Sequence, residues 1–438
     1  MQTHLPSILA RRIEAAGPVR VGVIGAGKFG SMFLNQVPFS PHLSVVAIAD
    51  LDVERARAAC RNVGWSDDLI AATRFTDDSM SVIADPAVEV VMEITGSPAA
   101  GCTHALAAAK HGKHIVMVNV EADVLAGPVL AAAHRSAGTV YSMASGDQPA
   151  LVCEIVDWAR TCGLEVVSAG KGTRYQPGFH DVTPDGVWDH YGLTAEQAAE
   201  AGMNSQMFNS FLDGTKSAIE MAAIANANGL DAPVDGLKFP AVDVYNLQNV
   251  LIPQADGGIL DHAGMVEVVA SEHRGEASEM PNHLRWGVYA VFKAPNEYAR
   301  ACFAQYGLVT DKSGWYAALY RPYHLIGLEL GLSASNAVIR GEPTGSTAEW
   351  RGDVVAVAKK DLKPGDRLDG EGGYCAWGRL MPAAASQAKR ALPIGLAHGV
   401  DVVRPVSHGA VITYDDVGPL PDNAATRCRQ ELENSANS

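Results

Sequence analysis

The chain has 438 residues, 47% hydrophobic and 19% charged. That is the balance of a globular protein, and it is too long for a single core, so two or three domains are expected. A formal net charge of −15 argues against nucleic acid and anionic membrane surfaces as partners, and no apolar run reaches the roughly 18 residues that a bilayer span needs. The start MQTHLPSILARRIEAAG lacks the apolar core and cleavage site of a secretory signal, and the seven cysteines are scattered without a CxxC. A cytoplasmic protein with reduced thiols is the expectation.

Val19 to Ile24 is a short β-branched run that stops at glycines, and an apolar helical pattern from Phe29 to Val37 follows it. Ser44–Ala49 reads as a strand, Val53 onward as a helix, Val88–Ile94 as a strand and Thr103–His111 as a helix, with further strands at His114–Val118 and Thr139–Met143. This alternation predicts an α/β fold with a doubly wound parallel sheet of Rossmann type over residues 1–150. From Leu151 a helix leads to Gly163, and Glu165–Ser168 forms a strand running into a loop, Ala169-Gly170-Lys171-Gly172. Met203–Asn228 then carries apolar residues at helical spacing. Residues 151–345 are read as an α+β catalytic and dimerisation domain. Asp353–Ala358 reads as a strand, Lys360–Asp366 as turn, and short apolar runs recur to Ile412, which predicts a small β module over 346–425. Residues 426–438 read as a frayed tail.

Gly25-Ala26-Gly27-Lys28-Phe29-Gly30 fits the dinucleotide fingerprint, directly after a buried-type strand and opening a helix. Glycines also serve ordinary turns, but this context favours a cofactor. Asp50, ending the second strand, is placed to bond the adenosine ribose and to repel a 2′-phosphate, favouring NAD while leaving NADP possible; the other role open to it is a helix cap. Thr95-Gly96 would pass beside the nicotinamide ribose. Asn119 and Glu121 follow the His114–Val118 run at the carboxyl edge of the sheet, where ligands bind, the alternative being a solvated loop capped by Asp123. Asp147 ends the next strand in the same way and is a candidate substrate contact.

Lys171, flanked by glycines, can reach a carbonyl oxygen or carboxylate. Lys216 and Glu220 stand four residues apart among apolar neighbours, so they share a helix face as either a structural pair or an acid/base site. Arg321-Pro322-Tyr323-His324 would offer Arg321 and His324 to an anionic substrate, or form a packed turn. No HExxH or similar spacing occurs, and no metal site is predicted.

Several stretches together resemble the homoserine dehydrogenase superfamily, and more closely the deoxyxylulose phosphate reductoisomerase-like (DRL) enzymes within it. They are Val21 to Gly27, Gly112-Lys113-His114 through Val124, Val166 to Gly172, Glu220 to Asn226, Leu251 to Ala255, Arg321 to Leu325, and Val357 to Asp361. The resemblance implies a Rossmann domain, an α+β catalytic domain that makes a homo-oligomer, and a C-terminal SAF-like β module. It also implies a candidate reaction, the NADPH-dependent reductoisomerisation of deoxyxylulose phosphate in isoprenoid synthesis. A divalent metal held by residues such as Glu121, Asp123 or Asp147 would accompany that reaction. Homoserine dehydrogenases carry an Asp and a Lys where Lys216 and Glu220 stand, with the charges swapped, and a catalytic lysine after the Asn, where this chain has Val120. Homoserine is therefore not the expected substrate. In place of the arginines that read an NADP phosphate in the DRL pattern, this chain has Ala49-Asp50-Leu51-Asp52. An NAD-dependent catabolic dehydrogenase of a hydroxy acid or aldehyde is thus the rival reading, and a non-catalytic NAD sensor a third.

Overall fold

The computed structural model describes residues 4–200, 202–276 and 278–436, and the chain divides into two compact units. The first comprises Met1–Leu151, Leu325–Ala348 and Asn423–Ser438; the second comprises Val152–His324 and Glu349–Asp422.

The first unit is built on strands β1 (Val19–Ile24), β2 (Leu43–Ala49), β3 (Arg74–Thr76), β4 (Val90–Glu93), β5 (His114–Met117) and β6 (Tyr141–Met143). All are parallel, in the order β3-β2-β1-β4-β5-β6, the doubly wound arrangement in which ligands bind beyond the carboxyl ends of the strands. The strands are almost continuously apolar because helices cover both faces. Residues 325–348 return to this unit and do not belong with the segment before them. The helix Leu330–Ile339 buries Leu330 and Ala334 among Val21, Val23, Val116 and Phe33, and Gly345 accepts the Met143 amide at 2.8 Å.

The expectation of a frayed end is corrected. Ala424–Ser435 is a helix, capped by Asn423, that buries Ala425, Cys428, Arg429 and Leu432 against the helices Pro98–Lys110 and Val120–Ala137. Its polar composition concealed a one-sided apolar stripe, which is enough to dock a helix.

In the second unit β7 (Glu165–Thr173), β8 (Met265–Ala270), β9 (Val288–Lys293) and β10 (Tyr316–Arg321) form a mixed sheet ordered β10-β9-β7-β8. The helix Thr215–Asn228 packs on β7 and β8, and also on β11 (Gly352–Ala358) and β13 (Ala376–Pro382) of the C-terminal β region. Strands β11 and β13 pair antiparallel along their whole length, and β12 (Arg367–Asp369) pairs with β14 (His398–Asp401). Among the described residues no helix is long and apolar enough to cross a membrane, and all seven cysteines are free.

Candidate active site

The turn after β1 is shaped by what cannot fit there. Gly25 has φ +98°, and a Cβ on it would lie 2.8 Å from the Ile94 carbonyl; a Cβ on Gly30 would lie 2.4 Å from the Gly25 carbonyl. Gly27, by contrast, is exposed and faces open space, at the start of the helix Lys28–Gln36, which no side chain caps. An uncapped first turn beside an open glycine is the geometry that receives a phosphate.

Asp50 closes the other side of this turn. One carboxylate oxygen accepts the Ala26 amide at 2.8 Å, and the other accepts the Asp52 amide at 3.0 Å and the Arg55 guanidinium at 2.7 Å. Burial works against its charge, but the two amides and Arg55 outweigh it and hold the carboxyl below its ordinary value. The cap of the following helix is Asp52, not Asp50.

At the ends of β4 and β5 the structure brings Thr95 and Asn119 together. The Asn119 amide donates to Thr95 Oγ1 at 3.3 Å and to the Ser97 carbonyl at 2.8 Å, and its oxygen caps Ala122 at 3.1 Å. Thr95 donates to Glu93 Oε1 at 2.6 Å, where His104 Nδ1 also bonds at 3.0 Å. Sequence reasoning missed this buried Glu93–His104 pair, although a lone carboxylate ending the apolar run Val90-Val91-Met92 was a signal for it. Glu121 lies half-buried in the first turn of the helix Val120–Ala137. Asp147 is buried and accepts the Gln148 amide at 2.9 Å.

Asp123 does not cap a solvated loop, since Asn119 does the capping. Its buried carboxylate accepts Thr347 Oγ1 at 2.7 and 2.8 Å and the Tyr141 hydroxyl at 2.9 Å, and burial pushes it up to about 6. Those internal partners use the oxygens a metal would need. Among the described residues no group of three His, Cys, Asp or Glu side chains is placed to hold one.

In the second unit Lys171 lies within a strand rather than the expected loop. β7 runs on to Thr173 because Gly170 and Gly172 let neighbouring backbone approach. Their Cβ positions would lie 1.9 Å from the Glu267 carbonyl and 1.8 Å from the Leu284 carbonyl. Lys171, 6% exposed, forms an ion pair with the buried Glu220. Lys216, one turn earlier on Glu220's helix, is half-buried. Across the sheet Lys171 and Arg321 are both in register with Val288. They therefore share a face, two strands and roughly 9–10 Å apart. Arg321 lies over the Tyr323 ring at 5.1 Å, and His324 Nδ1 donates to the Trp286 carbonyl at 2.7 Å.

Glu267, opposite Gly170 on β8, is a second buried carboxylate that the sequence reading passed over. It accepts the amides of Val268 at 2.8 Å and Lys238 at 3.0 Å, yet burial pushes it up to about 7. A folded value above the ordinary 4.5 means that its contribution to stability is full below about pH 4.5 and is lost as the pH rises through 7. The unfolding free energy of the wild type, relative to Glu267→Gln, is expected to fall by roughly 2 to 3 kcal/mol between pH 5 and pH 8. Denaturant titrations of both proteins at the two pH values check this, and a pH-independent difference would refute it.

Residues 19–118 match the family model described as oxidoreductase family, NAD-binding Rossmann fold (Gfo/Idh/MocA), and residues 146–330 match that of the oxidoreductase DRL catalytic domain. Over 107 residues the chain is 27% identical to a homoserine dehydrogenase of Methylobacillus glycogenes, an alignment that covers 24% of each protein. Similar solved structures include a "probable dehydrogenase" from Thermotoga maritima, 15% identical over 74% of this chain and 90% of that one (TM-score 0.38). A DOX-P reductoisomerase in complex with NADPH, fosmidomycin and magnesium is 16% identical over 49% and 59% (TM-score 0.34). The myo-inositol dehydrogenase of Lactobacillus casei with NAD(H) and myo-inositol is 20% identical over 39% and 50% (TM-score 0.29).

The phosphate-receiving turn lies within the residues that match the NAD-binding Rossmann model, and the buried Lys171–Glu220 pair lies within those that match the DRL catalytic domain. The first stretch is similar to oxidoreductases of the Gfo/Idh/MocA type and the second to those of the DRL type.

Proposed function

We propose that this chain is an oxidoreductase that uses NAD and acts on a small polar, anionic hydroxy or carbonyl compound. The observation that carries the chemistry is the buried Lys171–Glu220 ion pair, with Arg321 in register on the same sheet face. The residues of the first unit fit NAD: Gly25, Gly27, Lys28, Phe29 and Gly30 shape the turn for the pyrophosphate, and Asp50 stands where the adenosine ribose is read. Thr95, Gly96 and Asn119 form the loop pair that would border the nicotinamide. When bound, NAD supplies the hydride acceptor or donor.

Lys171 Nζ holds the proton that the substrate oxygen gains on reduction and loses on oxidation, and it polarises the carbonyl between them. Glu220 keeps that ammonium oriented and returns its proton, Lys216 adds a second positive charge toward the oxygen, and Glu121 is a second candidate for proton relay. Arg321 and His324 would take the anionic end of the substrate, with Asp147 as a further polar contact. Oxidation of a hydroxy acid, or of an aldehyde as its hydrate, is favoured over reductoisomerisation of deoxyxylulose phosphate, because Asp50 stands in place of a phosphate-reading arginine and the carboxylate of Asp123 is taken up by Thr347 and Tyr141.

Fluorescence titration with NADH and NADPH tests the cofactor. NADH is expected to bind about tenfold tighter or more, the worth of one charge-assisted hydrogen bond at Asp50, and Asp50→Ala to lose that margin. Tighter binding of NADPH would overturn the assignment and make deoxyxylulose phosphate the first substrate to try. Absence of steady-state turnover with every hydroxy acid and aldehyde screened would favour the sensor reading instead.

A further inference from the structure

The helix Thr215–Asn228, which carries Lys216 and Glu220, begins without a side-chain cap of its own: its N-cap is Gly214, with φ +91°. The first turn is held instead by its predecessor and by the C-terminal β region. Asp213 Oδ1 accepts the Thr215 amide at 2.9 Å, while Asp213 Oδ2 accepts Lys359 Nζ at 2.7 Å. Lys359 follows β11, and its side chain is 1% exposed against 0% for Asp213. Its other two protons go to the carbonyls of Val182 at 2.8 Å and Gly373 at 3.0 Å, which uses every donor the ammonium has.

Two further ties come from β13. The Gly378 amide donates to Thr215 Oγ1 at 2.8 Å. Trp377 stacks on His180 at 3.9 Å and 17°, and His180 Nδ1 in turn donates to the Asp213 carbonyl at 2.6 Å.

A fully buried ion pair is a weak source of net stability, because desolvation offsets most of the attraction and apolar residues of similar volume often serve better. What such a pair does supply is one geometry, since a displaced ammonium would leave a buried carboxylate uncompensated. Here that geometry is fixed three residues before Lys216 and seven before Glu220, within two turns of the helix.

We propose that Lys359 is a positioning residue for the reaction. Through Asp213 it sets the first turn of the helix that presents Lys216 and Glu220, so that the C-terminal β region is a working part of the catalytic unit. The proposal rests on the reading of Lys171, Lys216 and Glu220 as the reacting groups.

The test uses the full-length protein carrying Asp213→Asn together with Lys359→Met, which removes the tie without leaving a bare buried charge. On the substrate found by the screen, kcat is expected to fall between about tenfold and a hundredfold, with KM and the NADH Kd within about threefold of wild type, because misplacement of reacting groups acts on the chemical step. Amides of residues 215–220 should exchange with deuterium faster than in the wild type, while those of β1 to β6 should not. A purely structural role would lower the melting temperature and leave kcat of the folded protein alone, so a folded double variant with kcat within about twofold of wild type overturns the proposal. Should the double variant not fold, Thr215→Val, similar in shape but lacking the hydroxyl that bonds both the Gly378 amide and the Asp213 carboxylate, decides the matter by the same readouts: a lowered kcat supports the proposal, and an unchanged kcat with unchanged exchange overturns it. Lys171→Met is run alongside. If it turns over like wild type, the assignment of the reacting groups has failed, and the exchange measurement, which needs no substrate, still decides whether Lys359 holds the helix.

Discussion

Replacing Lys171 with Met is expected to lower turnover by about a thousandfold, within the range that positioned proton transfer contributes, while leaving the NADH Kd unchanged. The expectation follows from burial. Lys171 is 6% exposed and its partner Glu220 is 3% exposed, so no bulk water stands ready to replace the ammonium. Methionine preserves length and volume but neither charge nor donor. It also strands the Glu220 carboxylate, and an uncompensated buried charge costs about 3 to 5 kcal/mol. A fall in activity alone would therefore not separate chemistry from folding. The double variant Lys171→Met, Glu220→Gln does so, because it removes both charges together. It should recover most of the melting temperature and none of the activity. Turnover in the folded double variant near the wild-type rate would remove Lys171 and Glu220 from the mechanism.

The Rossmann half of this protein was legible because its signals are local. A β-branched run, the spacing Gly25-Gly27-Gly30 and an acidic residue ending the second strand each lie within a few residues of one another, and the strand order follows from their alternation with helices. Asp50 was found for the same reason, and its bond to the Ala26 amide shows the two motifs meeting in space. The second unit hid its decisive features because they are pairings over long sequence distance. Glu220 was read with Lys216 four residues away, whereas the structure pairs it with Lys171, 49 residues away. Asp213 and Lys359 meet across 146 residues, and nothing local announces that a lysine at the end of an apolar strand will be buried. The return of residues 325–348 and of the last helix to the first unit is of the same kind. It depends on small residues such as Ala334 and Ala425, whose burial a composition-based reading does not foresee.

The glycines around Lys171 carry the largest expected effect on folding. Read locally, Gly170 and Gly172 suggested a loop; in the sheet they are places where a side chain has no room. A Cβ on Gly172 would lie 1.8 Å from the Leu284 carbonyl oxygen, 2.3 Å from its carbon and 2.9 Å from the Arg285 amide nitrogen. All three are backbone atoms, so no rotamer change relieves the overlap. The Gly172 amide is moreover tied to the Gly287 carbonyl at 3.0 Å, which holds the two segments at this spacing. Gly172→Ala must therefore push one backbone away from the other by more than an ångström and break that bond. A cost of about 4 kcal/mol or more is expected, at the upper end of what overpacking produces and a large part of the stability of an ordinary domain. The melting temperature should fall by about 10 °C, and whatever protein remains folded should be inactive, because the displaced strand carries Lys171. Gly178→Ala is the matched control: that residue is exposed, its added Cβ meets nothing within 4 Å, and its backbone lies outside the left-handed region. It should melt within about 1 °C of wild type, as surface changes of up to ~0.5 kcal/mol do. Equal melting temperatures for the two variants would mean that β7 does not approach Leu284 as closely as this packing requires, and Lys171 would return to the loop that its sequence first suggested.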